Sequence, residues 1–226
     1  MNEQSSEEIA DETSSEPDGD TPAGDSGYPE PEYSIKGMFL LAALYLPMGF
    51  FLWFFMASIV VFPAGLLSEW FLTGLFPDMF EGVEQLGFHL EIQTGIRMSE
   101  EVDGRVAALV THINPMIYAW GIPLLFGLIM ATPLGGWQRV RQCAIGFSCV
   151  IGIQVWGIVF ETFRDLAFLL GPEAATAIRE SWLSPTAIAL CYQLGYLMLP
   201  AVTPVAAWIL MNREFLEKVV LRHRKV

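Results

Sequence analysis

Apolar positions along this chain fall in four long runs: Gly37 to Phe62, Pro115 to Pro133, Cys143 to Phe160 and Pro185 to Met211. None of the four contains an Asp, Glu, Lys or Arg. Each reaches or approaches the roughly 20 residues that cross a ~30 Å hydrocarbon core. The core helices of a soluble bundle would carry charged outer faces inside such runs, and these do not. The pattern predicts an all-α integral membrane protein with four transmembrane helices, over residues 34–62, 114–133, 143–170 and 185–211. The third continues past Glu161 as "ETFRDLAFLL" and ends at Gly171-Pro172, so 143–170 includes an outward extension beyond the bilayer.

The polar stretches between the runs differ in texture. In the long segment 63–113, the first half places Leu66, Leu67, Trp70, Phe71 and Leu75 at near-helical spacing. That spacing predicts an amphipathic helix, either flat in the membrane interface or packed on the rest of the loop. The second half alternates Phe88, Leu90 and Ile92 with His89, Glu91 and Gln93, which is the period of a strand. "RVAALVTHI" is its expected partner, with Val106, Ala108 and Val110 on one side, so a β-hairpin is predicted; a helix capped by Ser99 is the alternative. Residues 134–142 read as a short turn and 171–184 as a second loop.

Composition and charge sharpen this picture. The chain of 226 residues is 53% hydrophobic yet has a formal net charge of -13. The two properties are segregated: residues 1–33 hold eleven of the 25 acidic residues and almost nothing apolar. That segment cannot offset its ordering entropy and reads as a disordered acidic tail. Lys36, Arg139, Arg141 and the basic tail 212–226 lie on one side of the predicted spans, against Arg97, Arg105, Arg164 and Arg179 on the other. The positive-inside rule then puts both termini in the cytoplasm and 63–113 and 171–184 outside. Such acidity argues against a nucleic-acid partner.

Local chemistry is sparse. Asn114 and Ser184 stand where helix N-caps belong, each followed by a proline, Pro115 and Pro185, at the first helical position. Gln154 and Gln193 fall at similar depth and are expected to hydrogen-bond across the third and fourth spans. Small residues recur every four positions, as Ala144, Ser148 and Gly152 and as Ala187, Cys191 and Gly195. Such stripes mark helix-packing seams, meeting near Gly152 and Gly195, and one of them can face another subunit. The absence of mid-span charge disfavours a proton or ion pathway. No Cys/His spacing resembles a zinc site, and no cofactor or metal is expected. Cys191, His112 and Arg164 share one half of the protein and could form a thiolate, base and oxyanion-holding trio for peptide-bond transfer. Cys191 already has a packing role, so the preferred reading assigns no catalytic residue. A membrane sensor is a third reading, but the tails show no effector segment.

The run "INPMIYAWGIPLLFGLIMATP", from Ile113 to Pro133, follows the strand-like "HLEIQTGI" and leads into a short basic turn. In these features the chain resembles the bacterial exosortase H-associated membrane proteins. The resemblance implies a small multi-pass inner-membrane protein that accompanies an exosortase in protein sorting. The exosortase, an intramembrane thiol transpeptidase, would supply the Cys, Arg and His; "LCYQL" around Cys191 does not look like its nucleophile motif. The implied role is that of a non-enzymatic accessory or scaffold with the bilayer and a membrane protein as partners. The alternative is an intramembrane thiol peptidase using Cys191.

Overall fold

A computed structural model of the protein describes residues 35–102 and 105–217. The tail read as disordered, 1–33, and the end of the basic tail lie outside the described residues. Helices α1 (Ile35–Phe55) and α2 (Ala57–Leu75) are separated by Met56 alone. Met56 N–H donates to the Leu52 carbonyl and Val60 N–H to the Met56 carbonyl, both at 2.9 Å, so helical bonding runs through the junction. The first span therefore does not stop at Phe62, and the expected amphipathic helix is its direct continuation. Pro63 lies inside α2, where it withholds one hydrogen bond and does not break the helix.

α2 does not simply prolong the direction of the bundle. Trp53 sits beside Asn114 and Trp120, while Phe76, just past α2, packs on Phe163 with ring centroids 5.0 Å apart. The helical rise from Trp53 to Phe76 is ~34 Å, whereas from Gln154, level with Pro115, to Phe163 along its own helix it is only ~14 Å. α2 thus runs obliquely over the end of the bundle. Its buried face is Ala57, Val60, Val61, Ala64, Gly65, Ser68 and Leu72. Of the expected apolar face, Leu66, Leu67, Trp70 and Leu75 are exposed, and Phe71 alone packs against the core.

The loop segment forms a three-stranded antiparallel sheet, β1 (Phe80–Leu86), β2 (His89–Val102) and β3 (Arg105–Ile113), in the order β1-β2-β3. The predicted β2–β3 hairpin is present, and the helix alternative at Ser99 is not formed. β1 was missed because its alternation is interrupted by a register shift between Phe80 and Gly82. Leu86 pairs with His89 across a two-residue connection, and Gly87 takes φ 68 there, which glycine tolerates without strain. β3 presents Leu109, Thr111 and Ile113 to the core, with Ala108 exposed and Val110 half-buried. Ala108 and Val110 share the strand's other side, which is the less buried one.

Helices α3 (Met116–Ala119) and α4 (Gly121–Ala131) make up the expected second span, broken at Trp120. Pro123 explains the break: it cannot donate to the Ala119 carbonyl, and its ring crowds that oxygen. Pro133 ends α4 by holding Thr132 extended, at φ -80 and ψ 136. Helix α5 (Gly136–Phe168) is 33 residues long and begins well inside the segment read as a turn, so Arg139 and Arg141 are helical. Gly171, at φ 105, then reverses the chain. The loop expected at 171–184 contains helix α6 (Pro172–Glu180), with Ala174 and Ile178 buried one turn apart. Helices α7 (Pro185–Gln193) and α8 (Leu199–Met211) are joined by a π-turn, Leu194–Met198. There Leu199 N–H reaches back five residues to the Leu194 carbonyl. Pro200, which cannot pair with the Tyr196 carbonyl, accounts for the widened turn.

Three helical stretches are long and apolar enough to cross a membrane: Ala57–Leu75, Gly136–Phe168 and Pro185–Met211. Phe39–Phe55 and Met116–Ala131 are apolar but shorter. α5 is the hub, touching α2, α4, α6, α7 and α8. The larger buried core joins Leu72, Leu90, Ile92, Ile113, Ile158, Phe163 and Ile178 at the sheet end of the molecule. The bundle's own cluster is small, centred on Leu125, Ile129 and Trp208. That division suits a membrane protein, because hydrophobic burial drives packing where water is displaced, and not between helices already in lipid.

Candidate functional site

A cluster of charged and aromatic groups lies where α5 emerges from its apolar run. Glu161, Arg164 and Asp165 lie on neighbouring positions of α5. Arg164 Nη2 reaches Glu161 Oε1 at 3.1 Å and Asp165 Oδ1 at 2.8 Å. Tyr118 Oη donates to Glu161 Oε2 at 2.8 Å, and Thr111 Oγ1 donates to Asp165 Oδ2 at 2.7 Å. The Arg164 guanidinium lies 4.5 Å from the centroid of the Tyr192 ring, a cation–π contact, and Tyr192 in turn stacks on Tyr196. The network ties β3, α3 and the α7 end of the last helix to α5. Tyr118 is fully buried, and the two carboxylates are largely so.

This arrangement is chemically a clamp. One guanidinium faces two carboxylates, and each carboxylate also accepts a hydroxyl from another element. Breaking such a buried pair by removing one partner costs about 3–5 kcal/mol, because the remaining charge is stranded. Close packing reinforces it. The Tyr118 ring lies directly on Gly157, and a side chain on Gly195 would meet Trp156 Cδ1 at 2.7 Å with the Gly157 backbone just beyond. Trp156 Nε1 also donates to the Cys191 carbonyl at 3.0 Å. Only glycine at 157 and 195 permits this approach of α3, α5 and the π-turn.

Each residue singled out from sequence can now be placed. Asn114 is an N-cap in geometry as well as position: its Oδ1 accepts the Met116 N–H at 3.1 Å, and Pro115 has helical angles. Ser184 occupies the corresponding position before Pro185, but its side chain makes no capping bond. Gln154 is fully buried and directs its amide toward the Pro115 carbonyl at 3.5 Å. Gln193 is exposed, so the expected bond between the two glutamines is not made. Gly152 has nothing within 4 Å, and Gly195 meets Gly157 in its place. The seam is therefore five residues further along α5 than expected. Ala144, Ser148 and Gly152 are all exposed, on a face of α5 turned away from the rest of the described residues.

Cys191, His112 and Arg164 are not brought together as a catalytic trio. Neighbouring strand residues point to opposite faces. Thr111 faces Asp165, so His112 faces away from Arg164; its Nδ1 lies 3.8 Å from Glu91, and its side chain is 68% exposed. Arg164 is already committed to two carboxylates and a ring. Cys191 is half-buried and offers its backbone carbonyl, not its thiol, to a neighbour. Among the described residues no group of His, Cys, Asp and Glu is placed to hold a metal ion.

Sequence reasoning missed the network itself, apart from Arg164. Glu161 and Asp165 are one helical turn apart, a signal that was present, but Thr111 and Tyr118 carry no local mark of their partners. No similar curated protein and no similar solved structure was found. A family model described as exosortase H-associated membrane protein matches residues 32–215, which include the sheet, the network and helices α1 to α8. The chain therefore belongs to the exosortase H-associated membrane protein family.

Proposed function

We propose that this protein is a non-enzymatic accessory that holds a folded extracytoplasmic module against the membrane for an exosortase-type sorting enzyme. In this reading it sits in the bacterial inner membrane with four spans and both termini in the cytoplasm. α1 with the start of α2, α3 with α4, the apolar part of α5, and α7 with α8 are those spans. The observation that carries the reading is the clamp. Arg164, whose guanidinium lies over the ring of Tyr192 next to Cys191, is spent on Glu161, Asp165 and Tyr192, fixing the sheet to the bundle instead of facing a reacting bond. A rigidly mounted module is what a docking partner requires, since pre-ordering lowers the entropic cost of association.

The exposed small-residue stripe Ala144, Ser148 and Gly152 supports a contact with another membrane helix, because such stripes allow close backbone approach. Replacing Gly152 with Phe tests it. The expected result is an intact protein that recovers much less exosortase on co-purification from mild detergent. Undiminished recovery with Gly152→Phe and with Ser148→Phe would remove the stripe as the contact. A thiol-enzyme reading predicts instead that Cys191→Ala abolishes processing of sorted proteins while assembly persists.

A further inference from the structure

The turn between β1 and β2 is apolar where hairpin tips are ordinarily polar. Gly87 and Phe88 make the two-residue connection, and Leu86 pairs with His89 across it. Leu86 and Phe88 are 51% and 43% exposed, so the sheet absorbs neither side chain. Tight turns are usually built from Gly, Asn, Asp and Ser, which leave little apolar surface to cover. The register fixes the height of this tip. Leu90 pairs with Ile113, the last residue of β3, and Asn114 then caps the helix that the chain enters. β2 is antiparallel to β3, so Phe88 lies ~7 Å beyond Ile113 in the direction in which β3 runs, at the usual strand rise. The tip is therefore level with the capped start of α3. A second contact agrees. Gln85 Nε2 donates to the Ser58 carbonyl at 2.9 Å and to the Gly87 carbonyl at 2.6 Å, tying the tip to the first turn of α2. Ile59 and Phe62 flank that contact along a groove of about 520 Å³ and are 65% and 57% exposed.

We propose that the β1–β2 turn dips into the leaflet on the sheet side, with Leu86 and Phe88 among the upper acyl carbons. The occupant follows from the height of the turn. Ile59 and Phe62 belong to the first span in the four-span reading, and the lipid that covers them reaches the turn bonded to Ser58. The inference rests on that reading, because α3 must begin a span for the level of Asn114 to be the membrane interface. Interfacial insertion of apolar side chains is shallow, about 5–10 Å into the boundary between headgroups and acyl chains. The charges are placed to match. Glu84 and Glu91 pair across the strands and are the acids nearest the tip in sequence. They stand two residues back from the Leu86–His89 pair, ~7 Å toward water. The module is then held at two points, by the clamp on β3 and by its own tip.

The experiment is photo-crosslinking of the full chain in vesicles of phosphatidylethanolamine and phosphatidylglycerol, with p-benzoylphenylalanine placed at one position at a time. At Phe88 and at Leu86 the expected product is a peptide heavier by one phospholipid. At Glu84, exposed and two residues up β1, the lipid adduct should be lost. Ile117, at the start of α3, and Leu197, on the last membrane helix, are 37% and 66% exposed and should both give lipid adducts. Lipid at Ile117 and Leu197 with none at Phe88 and Leu86 would overturn the inference and leave the four spans standing. Lipid at Leu197 but not at Ile117 would place the start of α3 outside the bilayer, and the four-span reading would fall together with the inference. A protein adduct at Phe88 in native membranes in place of lipid, or lipid at Glu84 in equal yield, would also reject insertion of the tip. Should the probe at Phe88 prevent folding, Leu86 against Glu84 decides the matter alone.

Discussion

Gly157→Ala offers a sharp test of how the clamp is packed. A β-carbon at this position would collide with three atoms of the Tyr118 ring. The ring cannot swing aside freely, because it is fully buried and its hydroxyl is bonded to Glu161. Forcing a methyl group into such a site costs about 1–3 kcal/mol. Moving the ring also weakens a hydrogen bond to a charged acceptor, about 1.5–3 kcal/mol. Against these stands the gain from replacing a helical glycine with alanine, up to about 1 kcal/mol. The net expectation is a loss of about 3 kcal/mol. Gly152→Ala is the matched control, on the same helix and with nothing within 4 Å, and should be neutral or slightly stabilising. Unfolding of the two variants in detergent, followed by tryptophan fluorescence, gives the comparison. Equal stability of Gly157→Ala and Gly152→Ala would refute the packing argument.

Other substitutions probe separate parts of the structure. Thr111→Val removes the hydroxyl that Asp165 Oδ2 accepts and should cost about 1.5–3 kcal/mol; hydrogen exchange should rise in β3 and leave α4 and α8 unchanged. Asn114→Ala removes a cap and should lower stability by about 1 kcal/mol in the same unfolding assay. At the opposite end, Gln142 and Asn212 exchange amide hydrogen bonds at 2.9 and 3.1 Å. Gln142→Leu alone should cost about 1–3 kcal/mol by leaving Asn212 unpaired, and adding Asn212→Leu should recover a good part of the loss, which a double-mutant cycle will measure.

Length and hydropathy made the helical membrane class, the capped start at Asn114 and the β2–β3 hairpin legible from sequence, because each depends on local pattern. Boundaries that depend on tertiary context were less visible. Helical bonding through Met56 and the early start of α5 at Gly136 continue past positions where composition changes, since a helix can cross from lipid into water without altering its backbone. Which side of β3 faces the core was not legible either. Thr111 reads as a solvent-facing residue until its partner Asp165, 54 residues away, is known. The glutamine pairing failed for a similar reason: equal depth does not fix rotation about the helix axis, and Gln193 points outward. The network at Glu161, Arg164 and Asp165 was half visible on α5, but its meaning as a clamp required the strand and helix that close on it.

The central claim, that the chain serves an exosortase by presenting a clamped module and not by its own thiol, is tested most directly by one paired measurement. Exosortase recovery and processing of a sorted protein are followed in cells carrying wild type, Cys191→Ala or Arg164→Ala. The account predicts that Cys191→Ala matches wild type in both readouts, while Arg164→Ala, with its clamp broken, loses exosortase recovery and processing together. Lost processing with Cys191→Ala at full exosortase recovery would contradict it.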